Sequence, residues 1–244
     1  MNSLMLFLIF HVKASTEEER LAFRKELQQK YQDHIIYDYY TSRSFLYSYP
    51  DCSNNKLSLL YTYEYFDFEC HLNKIPDSKL VNAEHIVPQS FFKSLPEAGS
   101  MVADLHHIYA SGAKVNNARG NMPFTEINPA IEHCSKWCLA NECSKNISEL
   151  SGNYSDFSCV YKSKFVPIPE SRGKVARAVL YFFTIYHGTN LSISRVGDVN
   201  LFLKWNKEYP PTVEDIKRNN RVNITQGNRN PYVDHPEYAD MAFP

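Results

Sequence analysis

The chain has 244 residues, 43% of them apolar, and a net charge of −1. That length and apolar content can bury one substantial core, and no long Gly/Ser or Pro-rich linker divides the chain, so a string of domains is excluded. Internal repeats and low-complexity tracts are absent from the sequence, and no apolar run is long enough for a membrane helix; solenoids and helical membrane proteins are excluded with them.

In chain order, Met1-Asn2-Ser3 leads into an apolar run from Leu4 to Phe10. The run is too short to cross a bilayer but suits the apolar part of a secretory signal, and Val12-Lys13-Ala14 offers small residues for cleavage. A signal peptide is therefore expected over residues 1–14, although no Lys or Arg precedes the apolar run. A single domain over 15–233 and an acidic, unstructured tail over 234–244 are expected to follow. Thr16 to Tyr31 predicts a helix: Thr16 can cap it, Glu17 to Glu19 suit its positive end, and Leu21, Phe23 and Leu27 supply an apolar stripe. The tract from Ile35 to Phe68 is crowded with Tyr37, Tyr39, Tyr40, Tyr47, Tyr61, Tyr63 and Tyr65. It reads as core with a partly wet margin rather than as a platform for stacked bases.

Val81, Ile86 and Val87 mark a short strand over Leu80 to Val87, stopped by Pro88, with Glu84-His85 near its end. Leu105 to Tyr109 predicts a second strand, Ser111-Gly112 a turn, and Lys114 to Ala118 the opening of a helix. This unit of strand, long loop, strand and helix lets residues far apart in sequence converge on one cation. Alternation in the second strand sends His106 and His107 to opposite faces, and hydrogen-bonded structural roles are expected for both. Farther along, Arg172 to Tyr186 predicts a helix buried through Val175, Val179, Phe182, Phe183 and Tyr186. Short helices follow around Leu201, Phe202 and Trp205, and over Val213 to Arg221, with Thr212 as a cap.

Six cysteines, Cys52, Cys70, Cys134, Cys138, Cys143 and Cys159, form an even set that in an oxidising compartment means three disulfides, with fifteen pairings open. A zinc site through His133 and its neighbouring cysteines matches no common ligand spacing. Acceptor motifs for N-linked glycans at Asn146, Asn153, Asn190 and Asn223 agree with a eukaryotic secretory route. Charge is uneven: residues 160–230 hold twelve Lys/Arg against five Asp/Glu, a local excess of seven. There Lys162, Lys164, Arg172, Lys174 and Arg177 could neutralise phosphates, although for any one of them a solvated face is the simpler reading.

Two polar clusters, Asn82-Ala83-Glu84-His85-Ile86-Val87-Pro88 and Lys114-Val115-Asn116-Asn117-Ala118-Arg119-Gly120-Asn121, supply a base, a carboxylate, amides and a guanidinium. Phosphodiester cleavage with a metal needs hard oxygen ligands, a base for water and a cation facing the phosphorus. With Asp104-Leu105-His106-His107, Arg172-Gly173-Lys174-Val175-Ala176-Arg177, Trp205-Asn206-Lys207-Glu208-Tyr209-Pro210 and Gln226-Gly227-Asn228-Arg229-Asn230-Pro231-Tyr232-Val233, they make an ordered series. In that series the chain resembles the endonuclease I family of secreted and periplasmic nonspecific nucleases, which use a ββα-metal, or His-Me finger, site.

The resemblance implies an α+β fold: a mixed, mostly helical single domain around the ββα-metal motif. It implies His85 as general base, and Glu84 and Asn116 as ligands of one divalent cation, Mg²⁺ or another such as Mn²⁺ or Ca²⁺. Asn117 and Asn121 are the alternatives to Asn116 should the register shift. Arg119 is expected either to contact phosphate, with a catalytic share, or to hold its helix by a salt bridge. Asn121, Lys174 and Arg177 are the further candidates for substrate binding. Asp104 is expected to orient a neighbour, and Gln226, Asn228 and Arg229 to brace a loop. The implied protein is a secreted monomer without a membrane anchor that cuts DNA, and RNA as a further candidate, with little sequence specificity, leaving a 5′-phosphate. One departure stands out: the segment between Pro88 and Asp104 has no Arg, so an arginine that relatives place there for phosphate has no counterpart. The rival readings are a catalytically inactive secreted binder of nucleic acid and a structural glycoprotein.

Overall fold

The helix expected after Thr16 forms as α1, Glu17–Tyr31, and its first turn explains why it starts there. The Thr16 side chain accepts from the Glu19 backbone while the Glu19 carboxylate takes the Thr16 N–H, satisfying two otherwise orphaned donors. The computed structural model describes residues 16–128, 131–150, 152–153 and 156–244; the expected signal at 1–14 lies outside them. Next come α2 (Tyr39–Ser48), capped by Asp38, and a small antiparallel sheet of β1 (Cys52–Ser53), β2 (Lys56–Ser58) and β3 (Tyr65–Asp67). The aromatic tract thus divides between helix and sheet. Tyr47 and Tyr61 are buried, whereas Tyr40, Tyr49, Tyr63 and Tyr65 are exposed.

The central unit is β4 (Val81–His85), two short helices α3 (Gln89–Phe92) and α4 (Ala98–Ala103), β5 (Ile108–Gly112) and α5 (Ala113–Arg119). β4 and β5 pair antiparallel, with Glu84 opposite Tyr109 and His85 opposite Ile108. The second strand therefore begins three residues later than predicted, and Ser111-Gly112 ends it instead of opening a turn. Its cause is local: the Asp104 carboxylate accepts the His106 N–H, folding 104–107 into a turn before extended pairing can start. The alternation argument for His106 and His107 falls with that strand, and both rings are buried.

A four-stranded antiparallel sheet follows, in the order β7 (Glu142–Ser144), β6 (Lys136–Leu139), β8 (Ser158–Tyr161), β9 (Lys164–Val166). Of the fifteen pairings, the chain adopts Cys52–Cys70, Cys134–Cys159 and Cys138–Cys143, and among the described residues no cysteine is free. The first joins the start of the small sheet to the segment after it. The second ties the segment just before β6 to β8, and the third links β6 to β7.

The core is completed by α6 (Pro169–Ile185), α7 (Val199–Glu208) and α8 (Val213–Gln226). α6 is nearly all buried and packs most extensively on α7, with Phe182, Phe202 and Trp205 in the shared core. Thr212 caps α8 with Asp215 as its reciprocal partner. The expected unstructured tail is corrected. α9 (Pro231–Asp234) packs on α6 and α8, and α10 (Tyr238–Ala242) folds onto α1, because Ala239, Ala242 and Phe243 make one apolar face among three acidic residues. Tyr238 meets Phe23 edge-on, and Arg24 lies 5.0 Å over the Phe243 ring. Helices and antiparallel sheets in one domain make this an α+β fold, and no helix among the described residues is long and apolar enough to cross a membrane.

Candidate active site

Successive side chains of a strand leave opposite faces, and β4 uses both. Toward α5 it presents Asn82 and Glu84. Glu84 is 3% exposed; its Oε1 accepts the Tyr61 hydroxyl at 2.7 Å and lies 3.0 Å from Arg119 Nη1. Burial raises the Glu84 carboxyl above its ordinary range, against the opposing pull of Arg119 and Tyr61. The second oxygen, Oε2, makes neither of these contacts. Asn116, one turn before Arg119 on α5, donates its Nδ2 to Asn82 Oδ1 at 2.7 Å, which leaves its own oxygen as the atom for a cation. Asn117 and Asn121 are exposed, so the amide on the Glu84 side of the helix is Asn116.

Arg119 is 1% exposed and bound to the strand through both Nη atoms, while its Nε is buried without a hydrogen-bond partner. Nη1 donates to the His85 carbonyl at 2.9 Å, Nη2 to the Ile86 carbonyl at 2.7 Å, and the guanidinium lies 4.6 Å over Phe124. Of its two expected roles, the structure displays the brace. One guanidinium holds the carboxylate and the backbone on both sides of the base.

Toward α2 and α4, β4 presents His85, 5% exposed. Its Nε2 lies 3.0 Å from the Val102 carbonyl, which can only accept, so that nitrogen carries the proton; Nδ1, 3.1 Å from Gln89 Nε2, is then the acceptor. Burial pushes the imidazole down to about 3, with His107 and the Arg119 and Arg43 guanidiniums adding to the effect, so the ring is neutral near pH 7. Tyr39 of α2 lies 5.4 Å away, ring to ring. The bound tautomer puts the basic lone pair on Nδ1, capped by a side-chain amide that can swing aside.

Neither His106 nor His107 bonds Glu84, Asn116 or His85, although the His107 ring meets His85 edge-on at 5.6 Å. The first bonds the Asn228 carbonyl, the second the Met101 carbonyl. Asp104 accepts from Tyr181, Tyr186 and Gln226, while Gln226 also accepts the Leu105 N–H and Asn228 reaches Tyr31 and Tyr181. These bonds tie the turn before β5 to α6 and the end of α8, a bracing role for Asp104, Gln226 and Asn228 alike. Arg229 is paired with Asp234.

The basic segment is largely spent inside the protein. Arg177, expected at the substrate, is 2% exposed and held by Asp215 at 3.1 Å and the Tyr209 carbonyl at 2.8 Å; this corrects it from a phosphate ligand to a scaffold residue. Its position on the inward face of α6 is the reason. Arg172 and Lys204 share Glu126, and Arg218 binds Asp51. Lys174 is half-buried on a cleft with Arg218, Arg221 and Tyr109, the cross-strand partner of Glu84. Sequence reasoning missed Asn82, Tyr61, Gln89, Tyr39 and Arg43. Period-two alternation from Glu84 could have found Asn82; the others come close only through tertiary packing.

Glu84 and Asn116 fit a hard divalent cation by donor type, two oxygens on one face, and Mg²⁺ commonly takes few protein ligands and keeps its waters. No group of three or more His, Cys, Asp or Glu side chains suited to a metal occurs among the described residues, so any such site is a sparse one.

A model of the Endonuclease I family matches residues 10–237. The chain is 30% identical over 206 residues to the extracellular ribonuclease of Bacillus subtilis (strain 168), covering 78% of this chain and 62% of that protein. It is 31% identical over 173 residues to the extracellular ribonuclease of Bacillus amyloliquefaciens, covering 65% and 52%. A periplasmic deoxyribonuclease of Aeromonas hydrophila is 27% identical over 140 residues, covering 57% and 50%. The chain thus spans about half to three-fifths of the length of these curated relatives. With a family match over nearly the whole folded body, and with the family's Glu-His and Asn…Arg motifs facing each other across β4 and α5, this chain belongs to the endonuclease I family.

Proposed function

We propose that this protein is a secreted, metal-dependent endonuclease that hydrolyses phosphodiesters of DNA, and of RNA, with little sequence preference. The observation that carries the reading is the arrangement at the end of β4: a neutral His85 with its Nε2 proton fixed on the Val102 carbonyl, next in sequence to a carboxylate that shares a face with Asn116. In this reading His85 Nδ1, freed from Gln89, takes a proton from water as the water oxygen bonds to phosphorus. The bond from phosphorus to the 3′ oxygen breaks, the departing oxygen takes a proton from solvent water and His85 returns its proton to solvent, leaving a 5′-phosphate and a 3′-hydroxyl.

A base near 3 is weak, but the arriving phosphate places negative charge beside the imidazole and raises its proton affinity in the complex. Glu84 and Asn116 would hold the cation, which when bound supplies positive charge to the phosphate and the leaving oxygen. Arg119 keeps the strand and helix in register for both. Lys174 and the exposed Asn121 are the remaining substrate candidates, on the cleft beside Tyr109 and on the turn after α5. Contacts to phosphate carry no base information. Similarity to proteins named as ribonucleases and to one named as a deoxyribonuclease supports a site that reads the backbone rather than the sugar.

The test is nicking of supercoiled plasmid and of an RNA transcript by protein made through a secretory pathway, with Mg²⁺, with EDTA, and with His85→Ala. Cleavage that vanishes with EDTA and with the variant is expected. A folded wild type that binds nucleic acid without cutting it under several divalent metals would favour the inactive binder.

A further inference from the structure

We propose that Arg43 of α2 binds the substrate phosphate beside His85, supplying from another helix the guanidinium that the segment between Pro88 and Asp104, whose one cation is the exposed Lys93, lacks. This rests on the nuclease reading. Anionic charge that grows during attack on phosphorus calls for a guanidinium or ammonium facing it. Arg119 cannot take that place without giving up Glu84 and two backbone carbonyls. Arg177 is paired with Asp215, and Arg172 with Glu126.

Arg43 differs from all three. Tyr39 and Arg43 stand four residues apart on α2, hence on one helix face, and the guanidinium carbon lies 4.7 Å over the Tyr39 ring. That ring is itself 5.4 Å from the His85 ring. The side chain is therefore laid along an aromatic surface that ends at the base. Among the described residues no carboxylate lies within ion-pair reach of Arg43, whereas each of the other three has one. A half-buried guanidinium without a partner carboxylate, stacked on the ring that packs against His85, has the paired donors that a phosphate accepts. Stacking on Tyr39 fixes the approach of the donor plane, so the contact selects a phosphate seated on His85 rather than any phosphate along the strand.

The test compares wild type with Arg43→Ala and Arg43→Lys in two assays. The first is kcat and KM for Mg²⁺-dependent nicking. The second is the salt dependence of binding to a labelled DNA duplex in EDTA, in a His85→Ala background. Arg43→Ala is expected to lower kcat/KM by about 100-fold, the scale of one lost donor to a developing oxyanion, with Arg43→Lys between it and wild type. The slope of log affinity against log salt is expected to fall by about 0.9, one phosphate contact. A merely structural role would lower the melting temperature and leave the slope in place. Wild-type kcat/KM together with an unchanged slope in a folded Arg43→Ala protein overturns the proposal. Should that variant lose its fold, Arg43→Gln, close in length, is read by the same two assays. If wild type does not nick at all, the nuclease reading fails by itself, and the binding slope alone decides whether Arg43 meets phosphate.

Discussion

The two faces of β4 are built on opposite electrostatic plans. On the α5 face a carboxylate, a guanidinium and a tyrosine hydroxyl meet in a buried ionic cluster, Glu84 with Arg119 and Tyr61. On the α2 face a neutral imidazole meets a backbone carbonyl, a side-chain amide and aromatic rings. Charge handling and proton handling are thus separated by one peptide unit. Burial on its own face is the first cause that keeps His85 neutral, with His107 and the Arg119 and Arg43 guanidiniums adding to it, while burial raises Glu84 against the pull of Arg119. Damage to one face should therefore read out differently from damage to the other.

The largest contrast is expected in turnover. His85→Ala should cut kcat by about 10²–10⁴-fold, the span of general-base catalysis, with the metal titration unmoved. Glu84→Ala should instead shift the metal requirement, and identical metal titrations in the two variants would erase the distinction between faces. Next comes stability: Arg119→Met leaves Glu84 buried without its cation, a loss of about 3–5 kcal/mol in urea denaturation. A loss under about 1 kcal/mol would show that the cluster is well hydrated and that the ionic face is not a sealed one.

Acid should then unpick the bracing behind the hairpin. Burial holds His106 down to about 4, below its ordinary 6.5, so the unfolded chain binds that proton first as pH falls. The contribution of this group to stability is complete above about pH 6.5 and is lost progressively toward pH 4, about 3 kcal/mol in all. His106→Gln should flatten the profile of melting temperature in that window; an unaltered profile would remove His106 from the account. The smallest effect is expected at the exposed start of α1, where Thr16→Ala should cost about 1 kcal/mol through the lost capping box and leave nicking at the wild-type rate.

Much of this arrangement is legible from spacing. Thr16 and Thr212 announce their helices because capping chemistry is local, and Glu84, Asn116 and Arg119 fall on the hairpin and helix where the motif puts them. What sequence could not give is whatever tertiary contact decides. Arg177 sits in a run that is basic on average, yet its place on α6 turns it toward Asp215 and the interior. Residues 234–244 look like a solvated tail until α1 offers Phe23 and Arg24 to cover. The Asp104 side chain competes with strand pairing through a single hydrogen bond, too fine a signal to outweigh the apolar pattern of Leu105 to Tyr109. Three disulfides among fifteen pairings depend on which strands become neighbours, and Tyr39 comes within 5.4 Å of His85 only because α2 packs beside the hairpin.

The triple grip of Arg119 bears on how the protein loses activity. A single planar group spans the 34-residue interval between α5 and the β4 end, holding both the Glu84 carboxylate and the carbonyls of His85 and Ile86. A helix that peels away releases all of these at once, so no half-assembled site with a working base and a loose carboxylate should persist. Fraying and inactivation become one cooperative event. The hydrogen-exchange rate of the Ile86 amide, bonded to the His107 carbonyl in the same hairpin, should then track the rate at which the proposed nicking activity is lost.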